Sequence, residues 1–278
     1  MLRRTVLARL AARPLAMAAL VICVAGPALL QGGTVNAAEK RPYADHRPRF
    51  EIGIGYAHRP GAIHSAPEVS IPFRRESFFS DSVDLVFEGW AGYSRHTGLD
   101  AFGLQIAPGF SYWLDSTTRI TPQVRLGFDY LTDLTAFQAS GKTVLIAGAD
   151  VRAEQFASLH PDRPYERQDF LIPGLKLGGL SRIDPTGSDY SYLMAGASLA
   201  YERGIPLADD APFHFRAKLM AESEMQMNTE GTLDIYTTGL LELRAVRPDG
   251  RLIAKGEIGV TSDFGDYNRI SVTFARGF

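Results

Sequence analysis

Three groups of residues carry side chains that could do chemistry. Ser94-Arg95-His96-Thr97 holds a hydroxyl and an imidazole at the end of an apolar stretch. A hydrolase needs such a pair within hydrogen-bond reach, with a third polar group orienting the imidazole. Asp209-Asp210 is an adjacent carboxylate pair, the raw material of an aspartate-based protease. The third group is larger: Arg125, Asp129, His214, Arg216, Lys218, Glu222, Glu224, Asp234, Glu242, Arg244, Lys255 and Glu257, alternating with apolar or small neighbours. Both signs occur at similar frequency. That suits a salt-bridged, hydrated wall and not a strongly selective ion filter. The six histidines are scattered without ligand spacing, and Gly53-Ile54-Gly55 sits inside an apolar alternation. Neither a metal, a phosphate loop nor any other cofactor is expected.

The elements that must position these charges are strands, because the alternation has period two. Phe50 to Tyr56, Val69 to Phe73, Val83 to Tyr93, Phe102 to Leu114, Ile120 to Tyr130 and Thr143 to Val151 form the first six. Leu171 to Gly179, Leu193 to Tyr201, Phe213 to Met225, Leu233 to Leu243, Leu252 to Val260 and Ile270 to Phe274 form the second six. The count is twelve, or ten if the segments interrupted by Pro72 and Pro173 fail to pair. Glu154 to Gln168, with Pro161 and Pro164, reads as a loop. Turns are expected at Asp115-Ser116-Thr117 and at Arg247-Pro248-Asp249-Gly250. Folding about the second turn sets Glu242 opposite Lys255 and predicts an ion pair, supported by Arg244 or Arg216. Asp209-Asp210 then falls on a turn at the opposite end from His96. Tyr56, Tyr93, Tyr112, Trp113, Tyr130 and Tyr201 lie near predicted strand ends, as an interfacial girdle requires.

Ahead of the strands, Arg3, Arg4, Arg9 and Arg13 precede an apolar run from Leu15 to Leu30 and the small-residue site Val35-Asn36-Ala37. This is the pattern of a secretory signal peptide, so the expected division is 1–37 signal, 38–48 a short periplasmic lead, and 49–278 a barrel. The single cysteine, Cys23, lies in the run, so the mature chain needs no thiol chemistry. Removing four arginines leaves 25 basic against 31 acidic residues, which does not suit a nucleic-acid partner. Alternation alone does not say whether the apolar face points in or out. Twelve inward stripes with this many aromatics would overfill a water-soluble barrel, so the stripes are expected to face lipid and the charges the lumen. Only helices and closed barrels satisfy the backbone in lipid.

The last residues carry a resemblance. Ile270, Val272 and Phe274 alternate with Ser271, Thr273 and Ala275, and the chain stops on Phe278. This resembles the terminal strand of Gram-negative outer-membrane β-barrel proteins; Arg276 departs from the pattern, since an apolar residue is usual two before the end. The resemblance implies an outer-membrane location, lipid as the surrounding partner, and Phe274 and Phe278 as the signal read by the barrel-assembly machinery. Shorter stretches resemble subfamilies: the first strand, the Gly/Pro loop, Val69 to Phe73 and Phe78-Phe79 are similar to the amino-terminal third of scaffolding barrels that bind murein hydrolases, and Gly89-Trp90-Ala91-Gly92-Tyr93 to small barrels encoded with bacterial cellulose synthesis; the subfamily stays unassigned. Autotransporter translocators are of similar size, but no passenger precedes the barrel here. The expected protein is therefore an all-β, antiparallel up-and-down transmembrane barrel. Its expected role is a non-enzymatic narrow pore or structural envelope component, passing small solutes or a polymer. A lipid hydrolase at the rim and an accessory barrel for polysaccharide export are the alternatives.

Overall fold

Wherever the sequence alternates, the chain is extended. The computed structural model describes residues 49–58, 68–80, 82–96, 99–133, 140–163, 167–184, 190–208, 211–228, 231–247, 252–263 and 269–277. The expected signal peptide and the terminal Phe278 lie outside the described residues. The strands are β1 (Arg49–His58), β2 (Glu68–Ser80), β3 (Val83–His96), β4 (Leu99–Trp113), β5 (Thr118–Asp133), β6 (Ser140–Gln155) and β7 (Ala157–Ser158). They continue with β8 (Asp169–Ile183), β9 (Tyr190–Ile205), β10 (His214–Asn228), β11 (Leu233–Val246), β12 (Leu252–Asp263) and β13 (Arg269–Gly277).

Consecutive strands pair antiparallel except β6 and β7, which both pair with β8, and β1 pairs with β13, so the sheet closes on itself. Closure leaves no edge strand. The two-residue β7 is a continuation of β6: Ala157 faces Leu171 in the same register in which Glu154 faces Gly174. The ladder skips the positions opposite Ile172 and Pro173, where proline supplies no N–H. The barrel therefore has twelve staves. The segment from Glu154, read from the sequence as a loop, is still strand through Gln155 and again at Ala157–Ser158.

Proline leaves a consistent mark. Pro72 does not break β2, which runs for 13 residues, but the β1–β2 ladder lapses between Phe73 and Ser70 without a change of register. Pro108 and Pro122 do the same to the β4–β5 ladder. In that gap Ser111 and Thr121 bridge the strands with their hydroxyls, 2.8 Å apart and buried.

Both described ends lie at one rim, since β1 and β13 pair. Residues 81–82 and 114–117 connect strands there, and 59–67, 134–139 and 264–268 connect them at the other. The remaining connections, 159–168, 206–213 and 247–251 on the first side and 97–98, 184–189 and 229–232 on the second, leave no difference in length between the rims; the rim that carries both ends is called periplasmic here, after the expected periplasmic lead, and the other external. The Asp115 turn is fixed by its carboxylate, which accepts the Thr117 and Thr118 amides at 2.7 and 2.6 Å and both threonine hydroxyls. Partial burial pulls that carboxyl up, but the hydrogen bonds outweigh it and hold it below the ordinary aspartate range.

The two faces of the sheet are inverted relative to a water-soluble protein. Leu175, Leu177 and Phe274 are 64, 63 and 65% exposed, whereas Asp150, Glu202 and Arg216 are 0, 1 and 0% exposed. Charged side chains are almost never sealed unless paired, and a continuous apolar exterior needs a non-aqueous neighbour. At the external side, Tyr56, Val69, Tyr93, Phe102 and Tyr130 follow one another in cross-strand register on the exposed face. Trp113 is not part of this girdle: it is buried, and its indole N–H donates to Asp84 at 3.1 Å. It sits on the odd-numbered, inward side of β4, where it packs with Phe156, Phe170, Ile172 and Ala200.

Candidate functional site: the polar interior

The charged residues meet one another inside the closed sheet. Arg119 on β5 reaches Glu154 at 2.6 Å and Glu76 of β2 at 3.8 Å, across the two intervening strands. Its guanidinium lies over the rings of Trp113 and Phe156, 5.6 and 5.1 Å from their centroids. Arg74 contacts Glu76 at 3.6 Å and Glu88 at 3.3 Å. Higher in the lumen, Asp150 takes Arg125 and Arg152, Lys176 pairs with Glu224, and Arg182 stands 3.6 Å from Asp129.

The most enclosed cluster is on β9 to β11. Glu202 accepts Arg216 Nε on one oxygen and Arg244 Nη2 on the other, the latter at 2.5 Å. Arg216 also donates to the Gln168 carbonyl at 3.4 Å and lies 5.4 Å from the Phe170 ring centroid. Arg244 further contacts Glu242 at 2.7 Å. Lys218 sits between Glu202 and Glu242 in the ladder.

The structure thus brings together Arg216, Arg244 and Glu242, and separately Lys255 with Glu257 at 2.9 Å and Glu51 at 3.1 Å. Glu222 lies in register with Ser198 and Thr238, and Asp234 with Gln226. His214 is buried near the periplasmic end of β10. The expected Glu242–Lys255 cross-strand pair is not formed. Glu242 stands opposite Glu257, and Lys255 opposite Arg244. The register has moved by two residues, with an irregularity between Ala245 and Val246. A two-residue shift preserves faces and exchanges partners, so the polar pattern had no power to exclude it.

Several partners were invisible to sequence reasoning. Glu202 and Arg74 lie just beyond where the apolar alternation of their strands was taken to end, and Glu154 lay in the presumed loop. Asp150 follows a run of small residues. Continuing the even-odd parity by one residue finds Glu202 and Arg74, and by three residues Glu154; Asp150 already has inward parity within the predicted Thr143–Val151 strand. The hydrolase stretch gains no geometry: Ser94 faces Ala101 across the ladder, and the His96 side chain, like Asp209-Asp210, lies outside the described residues. Among those residues no group of three metal-ligating side chains converges.

No protein-family model matches the sequence, and no curated protein does either. Solved structures do. The β domain of the Bordetella autotransporter BrkA superposes with a TM-score of 0.60 at 10% identity, over 84% of this chain and 99% of that one. The translocator domain of the autotransporter NalP from Neisseria meningitidis gives 0.61 at 10% identity, over 85% and 89%. An outer-membrane channel from Pseudomonas putida F1 gives 0.52 at 10% identity, over 85% and 97%. At such identities the likeness is one of fold. An apolar exterior, an ion-paired interior, closure through β1–β13 and these neighbours agree: the chain is a twelve-stranded β-barrel of the outer membrane.

Proposed function

We propose that the protein is a narrow, water-filled, non-enzymatic pore. The observation that supports this is the partial solvation of the inner charges. The side chains of Arg74, Arg152 and Arg182 are 37, 39 and 52% exposed although they belong to the inner face. An interior plugged by its own side chains would seal them as it seals Arg216.

On this reading Arg125, Asp129, Lys218, Glu222, Asp234, Glu242, Arg244, Lys255 and Glu257 line the solute path, with Arg216 sealed within the wall they form. Anions and cations are interleaved along it, so no single-sign field develops and selectivity between small ions is weak. Phe274 and Phe278 serve as the signal for the assembly machinery. The test is conductance of the purified barrel in planar bilayers. Small discrete steps with a cation-to-anion permeability ratio within a few-fold of one are expected. A folded, inserted barrel that passes no current overturns the pore.

A further inference from the structure

We propose that the external half of the lumen binds an uncharged oligosaccharide, with Trp90 as its stacking platform. This names a substrate class for the pore and rests on that reading for its biological sense, though not for its test.

Trp90 lies on the inner face of β3. Gly92 and Gly103 face each other across the β3–β4 ladder beside it. A Cβ on Gly92 would lie 2.5 Å from the indole Cζ3, and one on Gly103 would lie 2.8 Å from Cη2. The six-membered ring therefore occupies the space that the two paired glycines leave on the inner wall. The Asp129 carboxylate borders the same space, 2.6 Å from where the Gly103 Cβ would be, and Arg182 stands 3.6 Å from it. On the far wall, five staves round, Tyr190 and Tyr192 of β9 sit with ring centroids 5.8 Å apart and planes at 50°. Tyr236 of β11 adds a ring at the same end.

These rings differ from the aromatics at the periplasmic end. Trp113, Phe156 and Phe170 are 5, 4 and 0% exposed and packed together, while Tyr190 is 39% exposed and Trp90 is only partly covered. Flat aromatic faces next to a carboxylate and a guanidinium are what a pyranose requires. Its C–H face packs on the ring, and its vicinal hydroxyls exchange hydrogen bonds with the paired charges. Charge then narrows the class. In this half Asp129, Asp184, Glu222, Glu224 and Asp234 outnumber Lys142, Lys176 and Arg182, so a chain of uronates meets repulsion and an uncharged chain does not.

The full barrel, purified in a detergent without sugar headgroups, tests this. The sequence has two tryptophans, so W113F leaves Trp90 as the sole indole. Cellohexaose or maltohexaose should shift its emission saturably, and oligogalacturonate of equal length should not. If W113F fails to fold, the wild-type titration compared with W90F reads the same signal. In bilayers the neutral hexasaccharides should interrupt the current, and W90L should weaken that block at least about tenfold, the loss of roughly one stacking contact. The absence of any saturable response in folded protein, or tighter binding of oligogalacturonate than of either neutral chain, overturns the proposal. A barrel without conductance but with saturable emission changes sinks the pore and keeps the site.

Discussion

Glu202 is where one substitution should do the most damage to the barrel. Its two oxygens hold Arg216, fully buried, and Arg244, which reaches it at 2.5 Å. In E202Q the amide oxygen serves one guanidinium and the amide nitrogen turns a donor toward the other. Each charge-assisted hydrogen bond contributes about 1.5–3 kcal/mol, and removing one member of a buried ion pair typically costs about 3–5 kcal/mol. Some of this is recovered. Arg216 keeps its contacts with the Gln168 carbonyl and the Phe170 ring, and Arg244 keeps Glu242. A loss of about 3 kcal/mol is therefore expected for E202Q, within the range for breaking a buried pair. The double variant E202Q/R216M should lose less than the sum of the two single changes by more than about 1 kcal/mol, because it removes a stranded charge together with its partner. Reversible urea unfolding in lipid vesicles, followed by fluorescence and by heat-modifiable mobility, measures both quantities. The reasoning fails if E202Q unfolds within about 0.5 kcal/mol of wild type with the same m-value, or if the two changes are additive.

Other outcomes follow from the same structure. With Cys23, the single cysteine of the sequence, replaced by serine, bilayer-restricted probes should label cysteine placed at Leu126 or Phe128 and miss it at Arg125 or Asp129; the reverse pattern would mean that the faces are exchanged. Arginine at the outward Leu126 should cost about 2–4 kcal/mol if that position is at the bilayer midplane, read as a shift of the urea midpoint. Deleting Phe278 should deplete the protein from outer-membrane fractions, and normal levels of heat-modifiable barrel would remove its role in assembly. Asp115 has its carboxyl pK depressed by the turn hydrogen bonds, so its contribution is present above the unfolded value of about 4 and lost as pH falls through the folded one. D115A should therefore be less stable than wild type by about 1 kcal/mol at neutral pH, with the gap closing in unfolding curves recorded under acid conditions.

The staves were legible because period two is a local property. Parity along β5 alone puts Leu126 and Phe128 on one face and Arg125 and Asp129 on the other, and the burial pattern keeps that parity through the strand. Strand ends were less legible. Proline marks a position that gives no hydrogen bond, and sequence reasoning took Pro72 and Pro173 as threats to whole strands. In a closed barrel the neighbours on both sides hold the stave, so each proline costs one or two rungs only. Trp113 was misplaced for a related reason. Proximity to a strand end suggested the girdle, but its odd number on β4 puts it on the same face as Ser111 and Gly109, and parity outranks proximity.

Register is a relation between strands, and there the sequence carried too little information. Polar parity on β11 and β12 permits every even shift, and only the connection can choose among them. The choice made here has an electrostatic consequence that opposite-charge pairing rules do not anticipate. Glu242 faces Glu257 and Arg244 faces Lys255 across the ladder, an arrangement that is unfavourable for isolated two-stranded pairs. In the barrel the compensation runs in the other two directions. Along each strand Arg244 meets Glu242 at 2.7 Å and Lys255 meets Glu257 at 2.9 Å. Past the neighbouring strand Arg244 reaches Glu202 and Lys255 reaches Glu51. Each cation thus has two carboxylates within 3.1 Å, and the like-charged rungs become the centre of a network that ties β9, β11, β12 and β1 together. Such a network is more dependent on closure than a set of rungs: its outer members, Glu202 and Glu51, are contributed by strands that lie beside β11 and β12 only once β10 and β13 have paired. The Lys255–Glu51 pair therefore spans the seam between the first and last strands, and the inner charges are part of what closes the barrel.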